Sequence, residues 1–205
     1  MEKKIQSALK ALNKHGFKAE LVADLEAAKE IILARIPKGA KVGIPGSKTV
    51  RQLGLDQALR ERGNTTFDHW VEGLSDGEIL QMRKAQLTSD VLLTSSNAVT
   101  ETGEIYNMDG VGNRVAAMIF GPELVIIVVG KNKIVKDLDA ARERLRKIAA
   151  PKRAAELKLK VACARARDCG DCNSPARICR AEVILHRAPS LTEIEIYIID
   201  KELGN

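Results

Sequence analysis

The stretch LVIIVV, residues 124–129, is the most continuously apolar segment of the chain. Two shorter segments have the same character: AKVGI at 40–44 and DVLLT at 90–94. Runs of Val, Ile and Leu without polar alternation are typical of strands that are covered on both faces, as in a parallel sheet flanked by helices. These three segments therefore predict the central strands of such a sheet.

The segments between these strands carry helix signals. Apolar residues recur at helical spacing over residues 5–12, and Ser75 and Glu78 have the spacing of a capping box. Asp137 is placed to begin a further helix, which we expect to end at Pro151. Helices that alternate with buried strands predict an α/β domain.

Two more strands are predicted near the end of the chain, at 182–185 and 193–199. In the second of these, EIEIYII, isoleucines alternate with Glu193 and Glu195. This alternation predicts a half-exposed strand at an edge of the sheet. The sequence contains no internal repeat and no low-complexity tract, so we expect one domain that spans residues 1–205.

Charge and composition narrow the classes of function. The net charge is +6, but residues 131–167 alone hold 13 Lys and Arg against four acidic residues, a net +9. Aromatic residues make up only 3% of the chain, which disfavours the stacking platforms that single-stranded nucleic acid needs. A nucleic-acid-binding module built on the basic segment is therefore the least favoured hypothesis.

The sequence shows no targeting or membrane signal. The first 15 residues, MEKKIQSALKALNKH, have scattered charges and no apolar core of a secretory signal. The apolar run at 124–129 is far shorter than the ~20 residues that a membrane span requires. We therefore expect a cytoplasmic protein with no membrane span, in a compartment that keeps thiols reduced.

All four cysteines fall within a short segment, with the spacing C-x5-C-x2-C-x6-C. This spacing matches neither a zinc ribbon with two CxxC pairs nor the bacterial ferredoxin run. Thiolates are soft ligands, and four of them in a reducing compartment predict a metal loop at about 160–182. We expect an iron–sulfur cluster, [4Fe–4S], with zinc or metal-free thiols as the alternatives. The predicted ligands are Cys163, Cys169, Cys172 and Cys179.

A first candidate ligand site follows the strand at 40–44, in the sequence VGIPGSKTVRQLGL. A strand, a glycine turn and a helix start together favour an anion such as phosphate or a carboxylate. The motif is not a Walker A loop, because that loop has Gly directly before Lys. A capped helix after a tight turn explains the pattern equally well. The candidate ligand-binding residues are Gly46, Ser47, Lys48 and Thr49.

A second candidate site follows the strand at 90–94, in TSSNAVTETGEIYNMDGVGNRV. Ligand sites of open α/β sheets lie outside the carboxyl ends of the strands. Glu101 and Asp109 are candidates for an acid, a base or a nucleophile, although a solvated loop or a β-hairpin also explains the segment. The other candidate ligand-binding residues here, and after the strand at 124–129, are Asn97, Thr100, Asn107, Asn113, Arg114, Lys131 and Asn132.

At these residues the chain resembles the LUD-domain family, lactate utilization protein C and its relatives. The likeness is greatest to members with a C-terminal cysteine motif, and it covers nearly the whole chain. It is carried by GIPGSKTVRQLGL from Gly43, TSSNAVTETGEIYNMDGVGNRVAAMIFGP from Thr94, VVGKNKIV from Val128 and CGDCNSPARIC from Cys169.

This resemblance implies a three-layer α/β fold with a mainly parallel sheet, of the type shared by ribose-5-phosphate isomerase, glucosamine-6-phosphate deaminase and coenzyme A transferases. In those enzymes a loop that corresponds to residues 46–49 holds phosphate or coenzyme groups. Glu101 is the nearest counterpart of the transferases' nucleophile.

The same resemblance implies a subunit or accessory protein of lactate or other organic-acid oxidation, with iron–sulfur redox subunits as partners. Its ligand would be a small anion: a hydroxy acid, a sugar phosphate, a nucleotide or a coenzyme A ester. The alternative is a stand-alone isomerase or a coenzyme A-transferase-like enzyme with a structural metal loop. Whether this chain is itself catalytic stays open.

Overall fold

The computed structural model describes residues 2–205. The strands, in chain order, are β1 Lys18–Val22, β2 Lys41–Ile44, β3 Thr65–Asp68, β4 Val91–Thr94, β5 Ala98–Thr100, β6 Ile105–Asp109, β7 Leu124–Gly130, β8 Ile134–Val135, β9 Ala181–Leu185 and β10 Glu193–Ile199. The α-helices are α1 Glu2–Lys14, α2 Leu25–Arg35, α3 Lys48–Gln52, α4 Leu55–Glu61, α5 Asp76–Gln86, α6 Asn113–Ile119, α7 Leu138–Arg144, α8 Ala150–Glu156 and α9 Ala162–Ala166.

Six of these strands form the main sheet, in the order β1-β10-β7-β4-β2-β3, and every pairing in it is parallel. The three strands predicted from apolar runs are β2, β4 and β7, and β7 is buried along its whole length. Alternate residues of β7 face opposite layers. Ile126 packs with residues of α2, α3 and α4, whereas Ile127 packs with residues of α1 and α6. The chain therefore has the expected α/β architecture, with a parallel sheet flanked by helices.

A second, four-stranded sheet has the order β8-β5-β6-β9. Strands β5 and β6 form an antiparallel hairpin, and β9 pairs with β6 in antiparallel register. One face of this sheet packs on α1 through Val99 and Ile105, and the other packs on α7 and α8 through Ala98 and Tyr106. This sheet carries the polar segment that follows β4.

The prediction that 193–199 lies at an edge is wrong, because β10 pairs with β1 on one side and β7 on the other. Glu195 is only 7% exposed and has partners inside the protein. Its carboxylate accepts hydrogen bonds from Arg35 Nε at 2.7 Å and from the Tyr197 hydroxyl at 2.8 Å. A paired carboxylate tolerates burial, so the polar alternation did not indicate exposure.

The prediction that a helix ends at Pro151 is also wrong. Helix α7 continues through a π-helical turn, Leu145–Ala149, directly into α8, and Pro151 lies in the first turn of α8. Proline lacks an N–H and clashes with the carbonyl four residues earlier in an α-helix. The wider π turn ahead of Pro151, in which Ala150 N–H bonds to Leu145 carbonyl, replaces that α-helical geometry.

The local capping predictions are confirmed. Ser75 and Glu78 form a capping box at the start of α5, and Asp137 caps α7 by accepting from Ala140 N–H at 2.9 Å. The apolar residues of α5 are only partly covered, and the one buried residue of this helix is Gln86. Helix α5 therefore directs an amide, not an aliphatic side chain, into the interior.

No helix in the part of the chain that the structure describes is long and apolar enough to cross a lipid bilayer.

Replacing Glu195 by Ala should lower the free energy of unfolding by about 2 kcal/mol, because it leaves the buried Tyr197 hydroxyl and the Arg35 guanidinium short of an acceptor. Urea denaturation followed by circular dichroism measures this change. Glu30→Ala, at an exposed position of α2, is the matched control and should stay within about 0.5 kcal/mol of wild type. Equal stability of the two variants would contradict the role given to Glu195.

Candidate functional site

A cleft of about 330 Å³ lies at the carboxyl edge of the main sheet. Because the strands are parallel, the segments that follow β2, β3, β4 and β7 all emerge there. The rest of its wall comes from the end of β6, the start of α6, Arg83 of α5, residues 149–157, Ile178 and residues 204–205. The sequence-predicted residues that line it are Gly46, Ser47, Lys48, Thr49, Asn97, Asp109, Asn113 and Arg114.

The structure does not bring Glu101 into this cleft. Glu101 lies in the turn of the β5–β6 hairpin, where its carboxylate is 3.9 Å from Lys4 Nζ of α1. Thr100 is buried beside it and bonds to Glu104. These two residues belong to the packing of the hairpin against α1.

Three further predicted residues also lie outside the cleft lining. Lys131 Nζ is 3.0 Å from the carboxylate of Asp200. Asn132 Oδ1 accepts from Leu203 N–H at 3.0 Å, which fastens the end of the chain. Asn107 is fully buried and its Oδ1 accepts from Arg114. These three residues therefore contact the segments around the cleft without lining it.

The loop at 46–49 is built as a capped helix. Ser47 is the N-cap of the five-residue helix α3, and its Oγ accepts from Val50 N–H at 3.2 Å. Gly46 has φ +84°, and a Cβ at this position would lie 1.9 Å from Trp70 Nε1. Lys48 Nζ pairs with the carboxylate of Glu156. The Ser47 hydroxyl therefore already accepts a hydrogen bond as the N-cap of α3, and the Trp70 ring packs against Gly46.

Arg114 organises the opposite wall. Its Nε donates to Asp109 Oδ1 at 3.1 Å, and its two Nη atoms donate to side-chain oxygens of Asn97 and Asn107 and to the carbonyls of Ser95 and Met108. A guanidinium has five N–H donors, and all five have acceptors here. Arg114 is therefore a positioning residue that leaves no donor for a ligand.

Asp109 is the only acidic side chain among the residues described as lining the cleft. Its carboxylate is bound by Arg114 twice, through Nε and through the backbone N–H at 3.2 Å. Five basic side chains line the same cleft, so positive charge exceeds negative charge there. They are Lys48, Arg83, Arg114, Lys133 and Arg153.

Arg83 is the least satisfied of these cations. Its Nε is buried without a hydrogen-bond partner, and Arg83 forms no ion pair within residues 2–205. Arg153, by contrast, lies 4.8 Å from the centre of the Trp70 ring and pairs with Glu156. A buried donor without an acceptor is costly unless a ligand supplies one.

His69 lines the cleft as a neutral imidazole. The Gln86 amide nitrogen lies 2.9 Å from the Phe67 carbonyl and 3.0 Å from His69 Nδ1, and the Gln86 amide oxygen accepts from Asn113 at 2.8 Å. Because the Gln86 nitrogen is a donor, Nδ1 must accept, which places the proton on Nε2. Burial, and then the charge of Arg83, lower the pKa of His69 to about 4.

Lys133 is a buried lysine that lines the cleft. The residue is 4% exposed, and its Nζ donates to Ser95 Oγ at 2.8 Å and Thr49 Oγ1 at 3.1 Å. Burial, and then the charges of Arg144 and Arg114, lower the pKa of its ammonium group to about 7. A lysine at this pKa populates both the amine and the ammonium form near neutral pH.

The cysteine segment borders this cleft. Ile178, between the last two cysteines, lines the cleft and lies against Gly110. Arg180 N–H donates to the Asp109 carbonyl at 2.9 Å, and Ala181 begins the pairing of β9 with β6. The cysteine loop and the cleft therefore share a wall.

The four cysteines are free thiols, and Cys163 is buried. Burial, and then the charge of Cys169, raise the pKa of both Cys163 and Cys179. The sulfur atoms thus lie near enough for their charges to interact. Within residues 2–205, however, no three His, Cys, Asp or Glu side chains are arranged to hold a metal ion.

Comparisons with known proteins identify the family. A family model described as the LUD domain matches residues 5–199. The chain belongs to the LUD-domain family. Its fold is similar to the crystal structure of a DUF162 family protein from Deinococcus radiodurans, with a TM-score of 0.55, 16% sequence identity and 97% of each chain covered. No curated protein matches the sequence.

In this LUD domain, sequence reasoning missed His69, Arg83 and Lys133. The rule that ligand sites lie at the carboxyl ends of parallel strands points to Lys133, which comes just after β7, and to His69, which directly follows β3. Arg83 has no such signal, because it lies in the last turn of helix α5 and follows no strand directly.

The structure predicts that His69 of this LUD domain stays neutral, with its proton on Nε2, down to about pH 4. The unfolded chain protonates near the ordinary pKa of 6.5. Between these values the unfolded state binds more protons, so the stability contributed by His69 is present above about pH 6.5 and is lost as the pH falls toward 4. Nitrogen-15 NMR of the imidazole rings measures both tautomer and midpoint.

His186→Gln removes an exposed histidine and is the matched control, since it should leave the His69 signals in place. Gln86→Glu should place an acceptor against Nδ1 and move the proton there. A wild-type midpoint above pH 6, or an Nδ1–H tautomer, would show that Gln86 does not set the state of His69.

Proposed function

We propose that this LUD-domain protein is a cytoplasmic subunit or accessory protein of lactate or other organic-acid oxidation. It binds a small anionic ligand in the cleft and an iron–sulfur cluster on its four cysteines. The observation that carries this proposal is the shared wall: Ile178 lies in the cleft lining one residue before Cys179. A redox group and its substrate must lie close together, and this arrangement supports that requirement.

The charge of the cleft supports an anionic ligand. Of the five basic side chains that line the cleft, Arg114 pairs with Asp109, and Lys48 and Arg153 share Glu156. Arg83 and Lys133 have no acidic partner in the described chain. A hydroxy acid, a sugar phosphate, a nucleotide or a coenzyme A ester would each supply the missing negative charge.

The chemistry of the cysteines fits an iron–sulfur cluster. The four thiols are close enough for their charges to interact, and none of them forms a disulfide. A cluster held by Cys163, Cys169, Cys172 and Cys179 would supply one-electron transfer. Arg177 donates to the Cys172 carbonyl at 2.8 Å, and its buried Nε has no partner. Because Arg177 Nη2 also pairs with Asp171 Oδ1 at 2.9 Å, this arginine would offset only part of the negative charge that four thiolates bring.

The alternative, a stand-alone isomerase or coenzyme A-transferase-like enzyme with a structural metal loop, has a different basis. Glu101 is outside the cleft, so it cannot attack a ligand bound there. Chemistry in the cleft itself would depend on Asp109, Lys133 and the neutral imidazole of His69. The presence of these three groups in one cleft favours a catalytic site over a purely electrostatic one.

Replacing Arg83 by Met should weaken the binding of pyruvate or inorganic phosphate about 10-fold or more, because a charged hydrogen bond contributes ~1.5–3 kcal/mol. Isothermal titration calorimetry at low ionic strength measures this affinity. Arg187→Met removes an exposed arginine outside the cleft and should bind as wild type does. Equal weakening in both variants would mean that only the overall charge matters.

Protein purified without oxygen should contain about four iron and four sulfide ions per chain, with a visible absorbance that dithionite bleaches. Cys172→Ser should lower the iron content markedly, because it removes a thiolate ligand. Ser174→Ala, in the same loop, is the matched control and should keep the full content. Stoichiometric zinc without iron, or no metal at all after anaerobic handling, would remove the redox part of the proposal.

A further inference from the structure

Lys133 is placed as a nucleophile would be. Its Nζ lies between the hydroxyls of Ser95 and Thr49, at 2.8 and 3.1 Å, and both of these residues line the cleft. Ser95 follows β4, Thr49 belongs to α3, and Lys133 follows β7, so three separate elements hold this group. Gly204 packs against the amine and against Thr49, because a Cβ there would lie 2.9 Å from Nζ and 2.5 Å from Thr49 Oγ1.

No acid neutralises this lysine. The charged groups that act on it are two other cations, Arg144 from α7 and Arg114 from α6. Arg144 donates to the carbonyls of Asn132 and Asn97, and the Arg114 charge is shared with Asp109. Lys133 itself forms no ion pair with any carboxylate in residues 2–205.

This environment has a chemical consequence. Burial and two neighbouring cations make the ammonium form expensive, so the neutral amine is abundant near pH 7. Surface lysines, with an ordinary pKa near 10.4, are almost entirely protonated there. A desolvated lysine in a cleft is the usual arrangement for a lysine that attacks a carbonyl carbon.

We propose that Lys133 forms a reversible imine with a carbonyl compound that carries an anionic group, either a 2-oxo acid or an aldose phosphate. This inference rests on the anionic ligand of the proposed function and names its reactive part. Arg83 would bind the anionic group, since its buried Nε has no acceptor. The aldehyde or ketone carbon would then face the amine.

The reaction balances without an external oxidant or reductant. The lone pair of Lys133 Nζ forms a bond to the carbonyl carbon, and the electrons of the C=O π bond move to oxygen, which takes up a proton. The nitrogen then loses a proton, and the hydroxyl leaves with a further proton as water, which yields the C=N bond. Ser95 Oγ, at 2.8 Å from Nζ, is placed to relay these protons.

Reductive trapping tests this proposal on the full chain. Wild-type protein is incubated at pH 7.5 with pyruvate, with ribose 5-phosphate, or with lactate, and each sample is treated with sodium cyanoborohydride. Peptide mapping by mass spectrometry then locates the reduced adduct. We expect Lys133 to be labelled on the order of 100-fold faster than any other lysine, because its pKa is lowered to about 7 whereas an ordinary lysine, near 10.4, is almost entirely protonated at pH 7.5. Lactate, which has no carbonyl group beyond its carboxylate, should give no adduct.

The two carbonyl probes distinguish the classes of ligand. Labelling by pyruvate alone assigns a 2-oxo acid, and labelling by ribose 5-phosphate alone assigns an aldose phosphate. The rate of labelling should rise as the pH increases through about 7 and then level off. The control is Lys131→Arg, two residues away and outside the cleft lining, which should leave the adduct on Lys133 unchanged.

Lys133→Arg should abolish the adduct, and circular dichroism shows whether this variant folds. If Lys133→Arg does not fold, the peptide map of the wild-type protein still shows whether the adduct is on Lys133. Labelling spread evenly over surface lysines, or no labelling by either carbonyl probe, would overturn the imine. Calorimetry with lactate and phosphate distinguishes failure of the imine from failure of the anion site. Binding of these anions without an adduct would contradict only the imine. Absence of both binding and adduct would contradict the anion site as well.

Discussion

The parallel direction of the six strands in the main sheet is the constraint on which the rest of the structure depends. Strand β7 is buried on both faces, so helices must cover both sides of the sheet, and each connection must return across it. The carboxyl ends of β2, β3, β4 and β7 then emerge at one edge. An antiparallel sheet would send half of these segments to the opposite edge. The burial that stabilises the fold therefore also assembles the cleft.

Two arginines, Arg114 and Arg144, hold the segments around the cleft in place by hydrogen bonds. Arg114 donates to oxygens of five different residues around the end of β6, and Arg144, only 6% exposed, donates to the backbone carbonyls of Asn97, Asn132 and Asn205. Planar guanidinium groups suit this role because their donors point in fixed directions. Their charge is only partly balanced, since within residues 2–205 Asp109 is the one carboxylate that pairs with either of them. Burial, and then the charges of Arg144 and Arg114, lower the pKa of Lys133, and the proposed anion would balance the excess positive charge.

The sequence predicted what depends on local pattern. The strands β2, β4 and β7 follow from apolar runs and the helix caps from short spacings, because burial on both faces and capping are local requirements. The position of β10 did not follow, because Glu195 is accommodated by Arg35, which lies 160 residues away in the chain. The positions of Glu101 and Lys133 relative to the cleft likewise depend on contacts between distant segments, which the local sequence pattern does not reveal. A hairpin turns Glu101 toward α1, and among the lysines and arginines of the described chain only Lys133 and Arg144 are buried, which the sequence pattern does not reveal.

The position of the cysteine segment links the two halves of the proposed function. Its end is fixed to β6, since Arg180 N–H bonds to the Asp109 carbonyl and β9 continues the pairing from Ala181. The same β6 residue, Asp109, binds Arg114 through its carboxylate and so holds the cleft wall. Within residues 2–205 the thiols are not arranged around a metal, so the proposed cluster would require the segment to rearrange. If that rearrangement moved Asp109, a metal in the loop and a ligand in the cleft would each change the other's affinity by the same factor.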